Sequence, residues 1–271
     1  VLARQWKQPV VIDNKPGAAG IVAFSELRRT PPDGHTLFVA DTATMCVNPL
    51  IHDNLPYDPA RDLVPLTLLF RATFLILVGG ESRFQSVPQL LDAARREPGR
   101  VSYASLGNGH AVHVAIETLA QAAGVRMLQV PFKDASALFT AVAAGDVDFT
   151  AFSVNTVAGL LQQKRLRALA VASKTRIKEL PGLPTLAEAG APDVEMRPWA
   201  GLVAVAGTPQ PVLDQLQRDL VGAIEAAEVR ERIATLGFEL TPSTPQQLRA
   251  RAESDLALYT LLLRDGRLTK A

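Results

Sequence analysis

The sequence predicts an α/β protein built as two lobes, on three observations. Short apolar, strand-forming segments alternate with helical ones through most of the chain, which implies βαβ units and a mainly parallel sheet. The 271 residues, 48% hydrophobic and 20% charged, suffice for one large domain or two, with a sizeable core that needs no disulfide or metal. The chain also divides into an α/β beginning, an α/β middle and a helical end. An economical assembly places residues 1–79 and 201–271 in lobe 1 and residues 80–200 in lobe 2, with a ligand cleft between them.

The elements follow in order. Residues 1–8 read as an amphipathic helix and 9–13 (PVVID) as a strand. Asn14-Lys15-Pro16-Gly17 is a turn, because proline fixes φ and glycine tolerates positive φ. Residues 18–29 form a helix, ended by Pro31-Pro32-Asp33-Gly34, and 35–40 form the next strand. Residues 41–61 are punctuated by prolines and read as irregular. Strands are expected at 63–70 and 74–79, and a helix at 86–96 opens on Ser86 as cap with Pro88 in the first turn. The rhythm continues with strands at 101–105, 127–131, 147–152 and 166–173. Helices separate them: one running to about residue 123, then 135–144 and 156–163. A stiff connector with one short helix spans 181–190, and 199–206 is a strand. Thr208-Pro209 should cap a helix carrying Val212, Leu213, Leu216, Leu220 and Ile224 on one face. A second helix spans 229–236 and ends at Gly237. Thr244-Pro245-Gln246-Gln247 reads as a capping box before the last helix.

Composition excludes several classes. The apolar fraction is too high and the net charge of +1 too small for a disordered chain. Cys46 is the single cysteine, so an intramolecular disulfide and a multi-cysteine zinc site are excluded. With no long basic stripe, nucleic acid is not an expected partner. Residues 63–80 are apolar but broken by Pro65 and Arg71, and read as two strands rather than a membrane span.

The most informative loop is Ser105-Leu106-Gly107-Asn108-Gly109-His110, between a strand and a helix. Its glycines allow close backbone approach, and free N–H groups at a helix N-terminus attract an anion. It lacks the Lys-Ser/Thr of a P-loop and the third glycine of a dinucleotide fingerprint, so nucleotides and other cofactors are not expected. His110, His113 and Glu117 share a helix face; they lack the HExxH spacing, and the preferred reading puts His110 at the cleft and His113 inward. Asp41-Thr42-Ala43-Thr44 reads either as a ligand loop or as a cap for the next helical segment. Cys46 reads as a small buried hydrophobe, and Asp146 and Asp148 as residues fixing local backbone.

Several segments together resemble the Bug-type (tripartite tricarboxylate transporter) periplasmic solute-binding proteins. They are PVVIDNKPGAAG (9–20), PPDGHTLFVA (31–40), YDPARDLVPLTLL (57–69), EPGRVSYASLGNGHAVHVAIETLAQAAGV (97–125), VPFKDASALFTAVAAGDVDF (130–149), LRALAVASKTRIKELPGLPTLAEAG (166–190) and PWAGLVAVAGTP (198–209). The resemblance implies a two-lobed, type II periplasmic-binding-protein architecture that closes on a small organic anion, a carboxylate or an acidic or aromatic amino-acid-like ligand, held largely by backbone N–H groups and waters. It implies a periplasmic protein with no covalent chemistry, which hands its ligand to membrane permease subunits. This chain departs from the pattern at His110, where a serine or threonine is usual, and at Phe132-Lys133-Asp134, where Tyr-Lys-Gly is usual; Asp134 is expected to repel an anion or select an amine. Family chains begin with a strand and a Pro-Gly-Gly loop ahead of the first helix. This one starts inside that helix, so the first strand and loop of lobe 1 are expected to be absent and the chain to be a fragment of a secreted precursor.

The expected ligand contacts are Ser105, Gly107, Asn108, Gly109 and His110, with Asp41, Thr42 and Thr44 from the facing lobe and Phe132, Ser153 and Asn155 at later strand ends. The expected function is capture of a small carboxylate, without catalysis, metal or cofactor. The alternatives are a ligand-sensing regulatory domain of the same fold and a cleft enzyme using Cys46 or the His110/His113 pair.

Overall fold

The structure is a computed structural model describing residues 1–235 and 238–271. The helices are α1 (Leu2–Trp6), α2 (Ile21–Leu27), α3 (Asn48–Ile51), α4 (Pro59–Asp62), α5 (Val87–Arg96), α6 (Ala111–Ala122), α7 (Ala135–Ala144), α8 (Val154–Gln162), α9 (Gln210–Glu225), α10 (Ala227–Thr235) and α11 (Pro245–Arg264). The strands are β1 (Phe38–Asp41), β2 (Leu63–Arg71), β3 (Phe74–Gly79), β4 (Ser102–Ser105), β5 (Leu128–Pro131), β6 (Phe149–Ser153), β7 (Leu166–Val171), β8 (Trp199–Val205) and β9 (Glu239–Leu240). The chain forms two compact units. The first comprises Val1–Arg71, Trp199–Leu261 and Lys270–Ala271; the second comprises Ala72–Pro198 and Leu262–Thr269.

In the first unit the sheet order is β1-β8-β2-β9, and every pairing is antiparallel. The expected parallel sheet is thus corrected. β1 and β2 do run in the same sense, as strands joined by a helical connection should, but β8 lies between them and opposes both. Leu213, Leu216 and Leu220 of α9 pack on Leu66 and Ala204, and Leu2 and Trp6 of α1 lie against the same cluster. Asp219 fixes α1 to α9 by accepting bonds from Gln5 Nε2 (2.7 Å) and Trp6 Nε1 (2.8 Å). Residues 9–13 form no strand. They have no ladder partner, and Val11 and Ile12 are exposed; apolar composition makes a strand only where a neighbour supplies the hydrogen bonds. The stretch read as irregular contains a π-helical turn, Ala43–Val47, followed by α3 and α4.

In the second unit the sheet order is β5-β4-β6-β3-β7. β4 pairs in parallel with β5 and with β6, as the helical crossovers α6 and α7 require. β3 lies antiparallel between β6 and β7, and all its residues are buried. That pairing puts β3 in the second unit, so the boundary expected at 79/80 falls at 71/72, and residues 262–269 also belong here rather than to lobe 1.

Local signals correspond closely to some elements. Ser86 Oγ accepts from Gln89 N–H at 3.4 Å, and Thr244 and Gln247 exchange bonds of 2.9 and 3.2 Å as a reciprocal capping box. Others differ. Residues 181–190 contain turns and a single bridge, Val171 to Thr185, but no helix. Thr208 does not cap α9, because its hydroxyl donates back to Val205 O at 2.8 Å. The helix end expected at residues 236 and 237 lies outside the described residues. No described helix is long and apolar enough to cross a membrane.

Candidate functional site

Parallel strands β5, β4 and β6 lie side by side, and their carboxyl ends carry Phe132, the 105–110 loop and Ser153. Ligands of open α/β sheets bind outside the carboxyl ends of such strands. Phe132 N–H donates to Ser105 O at 2.8 Å, so two of the sequence-derived candidates are in direct contact.

The loop is tightly organised. Gly107 (φ 106°) and Gly109 (φ 75°) occupy backbone regions that disfavour a side chain. Ser105 is buried, and its hydroxyl accepts from Gly107 N–H (3.3 Å) and Gln129 Nε2 (2.8 Å). His110 caps α6 with its own ring, Nδ1 accepting from Val112 N–H at 3.2 Å. His113 Nδ1 accepts from Gly109 N–H at 3.0 Å. The expectation of free N–H donors is therefore corrected at Gly107, Gly109 and Val112, whose donors are met by neighbouring side chains. Both rings carry their acceptor at Nδ1, so each neutral ring is protonated at Nε2. Asn108 is exposed, and its amide binds the chain's C-terminal segment: Nδ2 donates to Thr269 O (2.8 Å) and Oδ1 accepts from Thr269 N–H (3.3 Å).

Behind the loop lies a buried polar network. His113 is 3% exposed, and burial lowers its pKa from 6.5 to about 4. Its ring stacks on Tyr103, with centroids 6.3 Å apart. Tyr103 OH donates to Glu117 Oε1 at 2.7 Å, and Arg267 Nη1 donates to Glu117 Oε2 at 2.9 Å. Burial, with Glu117 adjacent, pushes the Tyr103 phenol up. Both Glu117 oxygens and His113 Nδ1 are thus engaged by protein donors. Among the described residues no group of three His, Cys, Asp or Glu side chains is placed to hold a metal.

Ser153 is buried at the start of α8, with Oγ 2.8 Å from Thr156 Oγ1, and Asn155 is half-buried in the first turn. Asp134 caps α7 through Ala137 N–H at 2.9 Å, a structural role for a side chain read as a charge facing the ligand.

In the first unit, Asp41 and Thr44 form a reciprocal box. Asp41 N–H donates to Thr44 Oγ1 (2.8 Å) and Thr44 N–H donates to Asp41 Oδ1 (2.8 Å), which opens the π-helical turn. Thr42 is buried and accepts from Trp199 N–H at 3.4 Å. The capping reading thus has a direct geometric basis. Cys46 is fully buried, its thiol pushed up by burial, with Sγ donating to Ala252 O at 3.4 Å. A buried thiol so disfavoured as thiolate is no nucleophile.

Sequence reading missed Tyr103, Gln129, Arg267 and Thr269. Each reaches the loop or its network from elsewhere in the chain, and nothing in its local sequence signals the contact.

The arrangement is that of two α/β units, the second carrying a glycine loop between a strand and the N-terminus of a helix. The chain matches the tripartite tricarboxylate transporter family receptor (TctC) over residues 1–264 and belongs to that family, whose members are solute-binding receptors. It is similar to the protein encoded in the tcbD–tcbE intergenic region of a Pseudomonas species, with 36% identity over 262 residues, 96% of this chain and 78% of that one. Among solved structures it resembles an R. palustris protein with adipate (TM-score 0.84, 27% identity, covering 100% of this chain and 90% of that chain). It also resembles the periplasmic binding protein BugD (TM-score 0.80, 25% identity, covering 100% and 91%).

Proposed function

We propose that this chain captures a small organic carboxylate in the periplasm and delivers it to the membrane permease subunits of a tripartite tricarboxylate-type transporter. The observation that carries the reading is membership of the receptor family, joined to a structural likeness, over the whole of this chain and 90% of the other, to a protein solved with adipate. The 105–110 loop is the proposed anion-binding element. It follows the carboxyl end of β4, its two glycines admit a ligand close to the backbone, and the α6 N-terminus carries the partial positive charge of the helix. His110 stands in this loop where the family more often has a hydroxyl. Phe132, Ser153 and Asn155 are proposed to wall the same carboxyl ends of the sheet, and Asp41, Thr42 and Thr44 are proposed ligand contacts within the first unit.

Calorimetric titration with adipate and other di- and tricarboxylates tests this. Binding should be saturable and should raise the unfolding midpoint by mass action. Absence of heat and of any midpoint shift with every carboxylate tried would overturn it. His110→Ser should retain binding with altered preference among acids, and unchanged preference removes His110 from the contact set.

A further inference from the structure

We propose that residues 262–269 form a strap that sets the conformation of the 107–110 loop, with Arg267 and Asn108 as positioning residues rather than ligand contacts. The inference rests on the reading that this loop takes the anion, and deepens it.

Two ties reach adjacent loop residues from this one segment. The first begins at Arg267, whose side chain is 8% exposed. Its guanidinium divides between Glu117 Oε2 (2.9 Å) and Val125 O (2.8 Å). The other Glu117 oxygen holds Tyr103, Tyr103 stacks on His113, and His113 accepts the Gly109 N–H. The second tie is the two-bond amide clamp between Asn108 and the Thr269 backbone. Leu262 and Leu268, both buried, anchor the segment, and Asp265 is held by Gln121 and Arg126. Gly109 and Asn108 are therefore fixed from the same element, one through the core and one from the solvent side.

The Arg267 link also has an electrostatic consequence. Glu117 lies seven residues into α6 from its cap, about 10 Å along the helix at 1.5 Å per residue. Unpaired, a buried carboxylate there would oppose an anion at the helix start; paired with Arg267, it is neutralised.

The test uses the full chain, amide hydrogen exchange across residues 105–112, and adipate titration. Arg267→Met should speed exchange at residues 107–112 and weaken adipate binding by about tenfold, the scale of one charged hydrogen bond, while β6 exchange stays unchanged. Arg267→Met combined with Glu117→Gln separates the two effects: exchange at residues 107–112 should stay fast because the tie is still cut, while affinity recovers in part because the stranded charge is gone; loop exchange restored to the wild-type rate in the double variant overturns the positioning role. Should Arg267→Met fail to fold, Asn108→Ala cuts the solvent-side tie alone and should speed exchange at 107–110. Unchanged loop exchange in folded Arg267→Met or in Asn108→Ala overturns the strap. A wild-type chain that binds no carboxylate counts against the binding reading alone, because loop exchange decides the strap without ligand.

Discussion

His113 makes the second unit acid-sensitive from a pH above the range in which carboxylates titrate. Burial lowers its pKa from 6.5 to about 4, so the folded chain keeps the ring neutral while the unfolded chain takes up a proton near pH 6.5. The unfolded state binds more protons throughout this interval, so stability falls as pH drops from about 6.5 to about 4 and levels off below, where both states are protonated. At about 1.4 kcal/mol per pK unit, the full loss is about 3 kcal/mol. The Nδ1 that takes up this proton is the acceptor for Gly109 N–H in the folded chain, so any opening of the loop that releases the ring is favoured by acid. The assay is urea denaturation of wild type and His113→Gln at half-unit steps from pH 7.5 to 4.5. Glutamine offers an oxygen to Gly109 and does not titrate. Wild type should lose stability over this range while His113→Gln changes little, and the protection of Gly109 N–H relative to its intrinsic exchange rate at each pH should fall in wild type alone. Parallel stability profiles for the two proteins would refute the reasoning. Asp62, Asp219 and Glu188 have pKa values lowered by their hydrogen bonds, for Asp219 against the opposing effect of burial; they stabilise the fold at neutral pH and begin to lose that contribution only as pH falls through their ordinary values of 3.8 to 4.5, at the acid end of this window.

Three further outcomes are expected. Gly79→Ala should destabilise by about 1–3 kcal/mol in urea titrations, because its Cβ would stand 2.6 Å from Val142 O, a backbone atom of α7. Asp134→Ala should cost about 1 kcal/mol through loss of the α7 cap yet leave adipate affinity unchanged; a clear gain in affinity would restore the side chain as an anion-repelling group. Cys46 should resist aromatic disulfide reagents in the native protein and react fully in urea, and rapid native labelling would contradict its burial.

What the sequence disclosed was local. The capping box at Thr244, the Ser86 cap and the helix over residues 135–144 rest on neighbours within one or two turns, and the structure bears them out. The strand expected at 9–13 failed because a strand is a relation between segments, and its composition says nothing of a partner. The sheet senses failed for a related reason. Alternation correctly implied that β4, β5 and β6 share a direction, but gave no sign that β8 and β3 insert between others. At the site, the glycine loop and inward His113 were legible. The occupants of its N–H groups were not, because whether an imidazole turns back on its own helix depends on packing. Asp134 read as a departure from a family pattern has a simpler physical role as a cap.

The insertion of β3 and β8 bears on how the protein emerges from the ribosome. All five strands of the second unit lie within residues 72–198, so its sheet is complete before the chain returns. The first unit waits: β1 and β2 are made early, yet they have no bridging neighbour until residues 199–205 are synthesised. During that interval two apolar strands stand with unsatisfied backbone, a template for misassociation and a natural client for a holding chaperone. A fragment ending before residue 199 should accordingly aggregate through its amino-terminal portion while the 72–198 portion folds, with Glu117 still awaiting the arginine that arrives nearly seventy residues later.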